Sequence, residues 1–475
     1  MITFIPPNLK GELAKALEIW EEKLSDQELP DGLSSPSQWD SDSEEDEEIS
    51  ADTTVSLGLR YWDEVVELTC AEFIDLMQEF RNSKLLNSVA CISKNRAIWR
   101  ITPLNAMAYR AIGTQEFSSE TPEEATLRDK YFRAKERVQV IHEEISDSEN
   151  YNQLFPRLQE AEAEERRLSD LVGDLSKATF RTEVQVNGQT VEAGLITGFN
   201  VFSLHVVAAG LDHEYFPPVG SEEAFIEVNF PEKLTEDQIA QFVQAYLFEL
   251  SATVGCEFVV SPRQEIEDAE ADEYEGGLVR TPHRLRPLVT GKGIADLLTI
   301  YNRGVGTVDD ELKILCFTKV IEFVAQTAIK RQSTETIHGK LMSSRAISPD
   351  AQFISELELL IEQQRVFKKD REAIRLTISL CCQATELSPT SPKFIKELSL
   401  PDLASDVKLQ TAALNKFSDV LYSTRNSIAH AKSNYVPTGD ECPSEALHQL
   451  ATCSRRAAEQ AIRWFASIPD PQRVI

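Results

Sequence analysis

The amino-acid sequence predicts a mainly α-helical, multidomain protein, with a helical N-terminal region and a small α+β unit preceding a C-terminal helical bundle. Three observations carry this expectation. From about residue 291 onward the apolar residues recur at helical spacing almost without interruption. Residues 180–262 instead alternate with period two around Asn187-Gly188, the signal of a tight hairpin. The length of 475 residues allows several domains, and a hydrophobic share of 42% is that of a globular chain.

Taken in order, residues 1–24 read as a helix, without the basic start and long apolar core of a signal peptide. Residues 25–54 include "WDSDSEEDEE", in which seven of the nine positions 40–48 are acidic. Such a run repels itself and buries little, which predicts a disordered acidic linker. Residues 55–178 read as a helical region. "LRYWDEVVELTCAEFIDLMQEF" is expected as an amphipathic helix, and 121–176, dense in Glu, Arg, Lys and Leu, as a helical hairpin broken near "SDSENYNQ". The α+β unit spans 179–262. "TFRTEVQVNGQTVEAGLITG" predicts the hairpin, "FNVFSLHVVAAG" and "EEAFIEVNF" further strands, and "TEDQIAQFVQAYLFELSATVG" a helix capped by Thr235. A second acidic linker is expected over 263–290. The bundle, 291–468, ends in two helices near 403–431 and 443–467.

Charge is distributed unevenly. The net charge is −30, but residues 291–475 hold 23 Lys+Arg against 22 Asp+Glu, while residues 1–290 hold 25 against 56. The C-terminal part is therefore near neutral. It can face a polyanion locally but is no platform for non-specific duplex binding. No apolar run approaches the eighteen residues of a membrane span, so no membrane partner is expected, and the cysteine usage points to a cytoplasmic location. The eight cysteines form no C-x-x-C pair and fall mostly within apolar helical patterns, which predicts reduced thiols and no metal site.

The stretch "LYSTRNSIAHAKSNY", residues 421–435, concentrates chemistry. At about 100° per residue, Ala413, Phe417, Leu421, Thr424 and Ile428 form one stripe, whereas Asn426 and His430 fall about 180° and 220° from Phe417. Arg425 flanks them. Such residues can be a solvated polar face or a site, and spacing alone leaves both open. As a site, histidine supplies an acid or base near neutral pH. Arginine offers a planar charge matched to phosphate oxygens, and asparagine an orienting hydrogen bond. Together they suit attack of an RNA 2′-hydroxyl on the adjacent phosphate without metal or cofactor, with charge growth on the phosphoryl group met by the arginine. One histidine serves only one end of such a displacement, so a homodimer with paired sites makes chemical sense.

"RNSIAH" resembles the Arg-x(4–6)-His signature of the HEPN superfamily, in which a polar residue often follows the arginine directly. The motif sits late in the penultimate helix, as in that family, and "KILCFTKVIEFV" is similar to an early helix of defence-associated members. The resemblance covers about 291–468. It implies a dimeric helical bundle acting as a metal-independent endoribonuclease, of the kind found in toxin–antitoxin and antiviral defence systems. His430 would be the acid/base, Arg425 the phosphate stabiliser and Asn426 an orienting group. Apart from the resemblance, Lys432, with Arg455 and Arg456, and Tyr435 of the following loop are candidate substrate contacts. One subgroup has tyrosine two residues after the histidine, where this chain has Lys432. Implied partners are single-stranded or structured RNA and a protein trigger or inhibitor acting through the N-terminal part. A non-catalytic dimerisation, RNA-binding or adaptor protein is the alternative, favoured by the acidity of residues 1–290.

Other motifs carry less. "IHEEIS" has Ser146 where a zinc protease motif needs histidine, and "VTGKGIAD" lacks the glycine and hydroxyl of a phosphate-binding loop. His205 and His213 read as packed or surface residues, Cys381 and Cys382 as core, and Arg455 and Arg456 as a modest phosphate-binding rim or solvated charges.

Overall fold

The computed structural model describes the chain apart from residues 1–6, 28, 32, 34–49, 63–64, 114–129, 132, 143–150, 174–178, 187–188, 214–216, 219–222, 232–233, 262–284, 365–369, 401, 405 and 430–438. The chain divides into two compact units, one formed by Met1–Val243 with Thr253–Pro287 and the other by Gln244–Ala252 with Leu288–Ile475.

The first unit holds helix α1 (Pro7–Lys23), the ribbon β1 (Thr54–Gly58) and β2 (Val65–Thr69), and helix α2 (Cys70–Asn82). Strands β3 (Lys84–Leu86), β4 (Ala90–Ile92) and β5 (Arg96–Pro103) follow, then α3 (Ala106–Gly113), the helical residues 133–142 (α4) and α5 (Tyr151–Gly173). Strands β6 (Thr179–Val186) and β7 (Gln189–Thr197), helix α6 (Val201–Ala208), β8 (Ala224–Asn229), α7 (Glu236–Glu249) and β9 (Phe258–Val260) complete the series. Seven strands make one antiparallel sheet in the order β3-β4-β5-β8-β7-β6, with β9 also pairing β5. The pairing of Val186 with Gln189 brackets Asn187-Gly188, which themselves lie outside the described residues.

Sheet register explains the core. Ile98 stands opposite Cys91 and Phe225 opposite Ile196; Cys91, Ile98 and Phe225 pack with Trp20, Phe73, Phe80 and Phe202 from α1, α2 and α6. The alternate positions Ala97, Trp99, Leu195, Ile226 and Val228 are buried as well, so both faces are covered. Separately, α4 and α5 pack through Ile141, Leu158 and Ala161.

Three expectations change here. The region expected to be helical contains β1 to β5. Thr69 decides one boundary, because its side chain accepts from the Glu72 backbone N–H at 3.2 Å while Glu72 accepts from the Thr69 N–H at 2.8 Å. This reciprocal cap starts α2 at Cys70 and leaves the β-branched "VVELT" as a strand. "FNVFSLHVVAAG", expected as a strand, is helix α6. A continuous apolar run suits either form, and Asn200, which accepts from the Phe202 N–H at 2.9 Å, tips it towards helix. The acidic segment 25–54 lies largely outside the described residues, but Asp31 pairs with Ser56 and Leu33 packs on the core.

In the second unit, α8 (Ile294–Val305), α9 (Asp310–Leu341), α10 (Ala351–Gln364), α11 (Asp370–Cys381), the short α12 (Ala384–Leu387), α13 (Val407–Ala429) and α14 (Leu447–Ser467) form a bundle. The 32-residue α9 is its axis, packing against α8, α10, α11, α13 and α14. Tyr301, Phe317, Phe417, Ile462 and Phe465 are fully buried. The expected limits 291–468 are too narrow at both ends. The end of α7 and the π-turn Leu250–Val254 belong largely to this unit. At the other end, Arg473 donates to the carbonyls of Ile468 and Ala466, each at 2.7 Å, and so fixes the last residues to the bundle.

Candidate functional site

Helix α13 forms because its apolar stripe has a core to meet. Ala413, Phe417, Leu421 and Thr424 are buried as the spacing predicts, and Ile428 is half-buried. The Thr424 hydroxyl accepts from the Cys442 N–H at 2.8 Å, which satisfies a buried polar group. Along the adjoining face, Asp419 receives Arg375 at 2.7 Å and Arg371 at 2.9 Å from α11, and Lys416 reaches Asp440 at 2.8 Å.

Arg425 and Asn426 are brought together in the last turn but one of α13. The Arg425 Nη1 donates to the Asn426 Oδ1 at 2.9 Å. Its Nη2 stands 2.9 Å from the Glu322 Oε1 of α9, an ion pair without hydrogen-bond alignment. The two side chains are 25% and 29% exposed, so this is a half-buried contact between helices. Burial pushes the Glu322 carboxyl above its ordinary pKa. The Arg425 and Lys319 charges pull it down, and the like charge of Asp370, in the first turn of α11, pushes it up. Glu322 is therefore the partner that sequence reading missed. It lies in "KVIEFV" on α9 and carries no spacing signal towards α13.

His430, Lys432 and Tyr435 lie outside the described residues; His430 directly follows Ala429, the last residue of α13. Arg455 and Arg456, expected as a modest rim or as solvated charges, turn towards a buried carboxylate. Arg456 donates to Glu459 at 2.8 Å, and the Arg455 Nε to Glu459 at 3.2 Å and to the Tyr301 hydroxyl at 3.1 Å. Tyr301 itself donates to Glu459 at 2.8 Å and meets the Ser251 hydroxyl at 3.0 Å; burial raises its pKa. Below them Arg463 makes a two-pronged contact with the buried Glu249, both bonds at 3.0 Å.

In the first unit, a cleft of about 420 Å³ is lined by Glu72, Asp75 and Glu79 of α2 with Leu68, Leu76, Arg96 and residues 199–201. Arg96 binds Glu79 at 2.7 Å and Glu227 at 2.6 Å. The i, i+3, i+7 spacing of the three carboxylates in "CAEFIDLMQEF" was the available signal. His205 is packed, on α6 rather than a strand: its Nε2 meets the Ser83 hydroxyl at 2.8 Å, and burial lowers its pKa to about 4. Cys382 is buried and Cys381 half-buried, both with thiol pKa values raised by burial. Among the described residues, no group of three or more His, Cys, Asp or Glu side chains is arranged to hold a metal ion, and no helix is long and apolar enough to cross a membrane.

Comparison of the chain with protein-family models, curated proteins and solved structures gave no match.

Proposed function

We propose that the C-terminal bundle is a metal-independent endoribonuclease of the HEPN type, acting as a toxin or antiphage defence effector under the control of residues 1–290. The observation that carries this reading is the arginine of the RNSIAH motif: Arg425 is oriented by the adjacent Asn426 at the end of a bundle helix that leads into His430. A guanidinium fixed in this way meets the charge that grows on a phosphoryl group with little reorganisation. His430 supplies the proton transfer, and Lys432 and Tyr435 contact the strand. The bundle pairs as a homodimer, so that two histidines serve the attacking and leaving oxygens of bound RNA.

The test is cleavage of single-stranded and structured RNA by the purified chain in EDTA. Cutting by the wild type that is lost in His430→Ala supports the reading, and equal inertness of both proteins sinks it. Dimerisation is checked by light scattering and by mixing Arg425→Ala with His430→Ala chains, which restores activity if the sites are shared.

A second reading, a non-catalytic RNA-binding or adaptor protein, has one observation in its favour. Glu322 already neutralises Arg425, and residues 1–290 carry the excess acid of the chain. On that reading RNA or a protein partner is bound by the bundle without being cut.

A further inference from the structure

We infer that Glu322 is a positioning residue for Arg425: with the Asn426 amide, its carboxylate holds the guanidinium from a second helix in one orientation before substrate arrives. The inference rests on the nuclease reading of the Arg425 site and adds a residue that the motif does not contain.

The geometry sets this pair apart from an ordinary surface ion pair. Two exposed side chains on flexible stems contribute little, because ordering them cancels the attraction. Here the partners come from α9 and α13, both side chains are mostly covered, and the Glu322 Oε1 is shielded from water. Burying a carboxylate is costly, and a bundle that needed only packing at this point would be as well served by an apolar residue. The guanidinium has five N–H donors in a fixed plane. The Asn426 amide oxygen accepts one N–H of Nη1, the Glu322 carboxylate attracts Nη2 as an ion pair without hydrogen-bond alignment, and the plane retains further donors for a phosphate oxygen.

Two effects oppose each other at this site, and their balance gives a distinctive signature. The negative charge of Glu322 weakens attraction between Arg425 and any phosphate. With a phosphate about 4 Å from the guanidinium and about 7 Å from the carboxylate, roughly half the Coulomb attraction is taken back. Removing the charge therefore strengthens ground-state binding. Removing it also releases a long side chain whose orientation matters most when charge develops in the transition state. Loss of Glu322 should then lower kcat without raising KM.

The experiment measures kcat and KM for RNA cleavage in EDTA by full-length wild type, Glu322→Gln, Glu322→Asp, Arg425→Ala and Arg425→Ala/Glu322→Gln, with His430→Ala as the inactive control. Expected results are a kcat at least tenfold lower in Glu322→Gln with KM unchanged or lower, and partial recovery in Glu322→Asp, which retains the charge. The double variant should be no slower than Arg425→Ala alone, because the two residues act as a unit. Should Glu322→Gln fail to fold, Glu322→Asp carries the test by itself: kcat falls and KM does not rise. Cleavage by Glu322→Gln at or above the wild-type rate overturns the positioning role and leaves the nuclease reading standing. A raised KM at unchanged kcat overturns it likewise. Wild type as inert as His430→Ala overturns the nuclease reading, and the inference with it.

Discussion

The Arg425 Nη2 lies 2.9 Å from the Glu322 Oε1, which ties the motif arginine on α13 to the central helix α9 of the bundle. The motif is therefore anchored to the framework that α8, α11 and α14 also share.

This anchoring makes the arginine hard to replace. On the proposed nuclease reading, Arg425→Ala and His430→Ala each reduce RNA cleavage by about 10²- to 10⁴-fold, the usual worth of a preorganised charge or a proton-transfer group. Arg425→Lys should recover little, because an ammonium cannot at once reproduce the directed Nη1 hydrogen bond to Asn426 and the close approach of Nη2 to Glu322. Single-turnover cleavage in EDTA measures all three, and full activity in Arg425→Lys would contradict the proposed geometry.

Gly304 sits where α8 presses on α9. A methyl group there would stand 2.8 Å from the Phe317 Cε1 and 3.0 Å from the Cys316 Cβ. Alanine favours helix by about 1 kcal/mol, but overpacking a buried contact costs about 1–3 kcal/mol. Gly304→Ala should therefore destabilise the bundle on balance. Urea unfolding followed by far-UV circular dichroism checks the sign, and a raised midpoint would show that the helices can separate at little cost.

The buried hydroxyl of Tyr301 donates to Glu459 and accepts from Arg455. Tyr301→Phe keeps the ring and removes those bonds, so a loss of about 1–3 kcal/mol is expected. Arg463→Ala removes the two-pronged partner of the fully buried Glu249 carboxylate and should cost more, about 3–5 kcal/mol. Chemical denaturation of the two variants tests the order. Arg463→Ala proving the milder change would mean that water reaches Glu249.

Acid should weaken the first unit through His205. Its folded pKa of about 4 lies below the ordinary 6.5, because burial disfavours the charged ring and the Lys23 charge adds to that. In this window the unfolded chain binds more protons than the folded one, so this contribution is complete above pH 6.5 and lost as pH falls towards 4. His205→Gln should flatten the dependence. Unfolding midpoints between pH 4 and 7, read from tryptophan fluorescence, would show equal slopes for the two proteins if His205 were not responsible.

The legible and illegible parts of this protein differ in physical kind. The stripe through Phe417 and Leu421, the helix from Asp310 and the strand at Ala224–Asn229 could be read directly, because burial of one face imposes a period on the residues that make it. Strands β3 and β4 were missed because they have three residues each, too few for a period to show, and the eight-residue β5 because it is buried on both faces and so lacks alternation. Helix α6 was misread because an apolar run buried nearly all round has no period at all.

The sequence by itself determined the amphipathic helices, the Asn187-Gly188 hairpin, the division of charge along the chain and the Arg-x(4)-His motif, since each is a property of neighbouring residues. Only the tertiary structure decided that strands from residues 84–103 and 179–260 share one sheet, that Gln244–Ala252 packs with the bundle, and that Glu322 meets Arg425. Those pairings join residues distant along the chain. They are selected by whether surfaces fit and charges are compensated once the helices and strands assemble, and local pattern does not encode that.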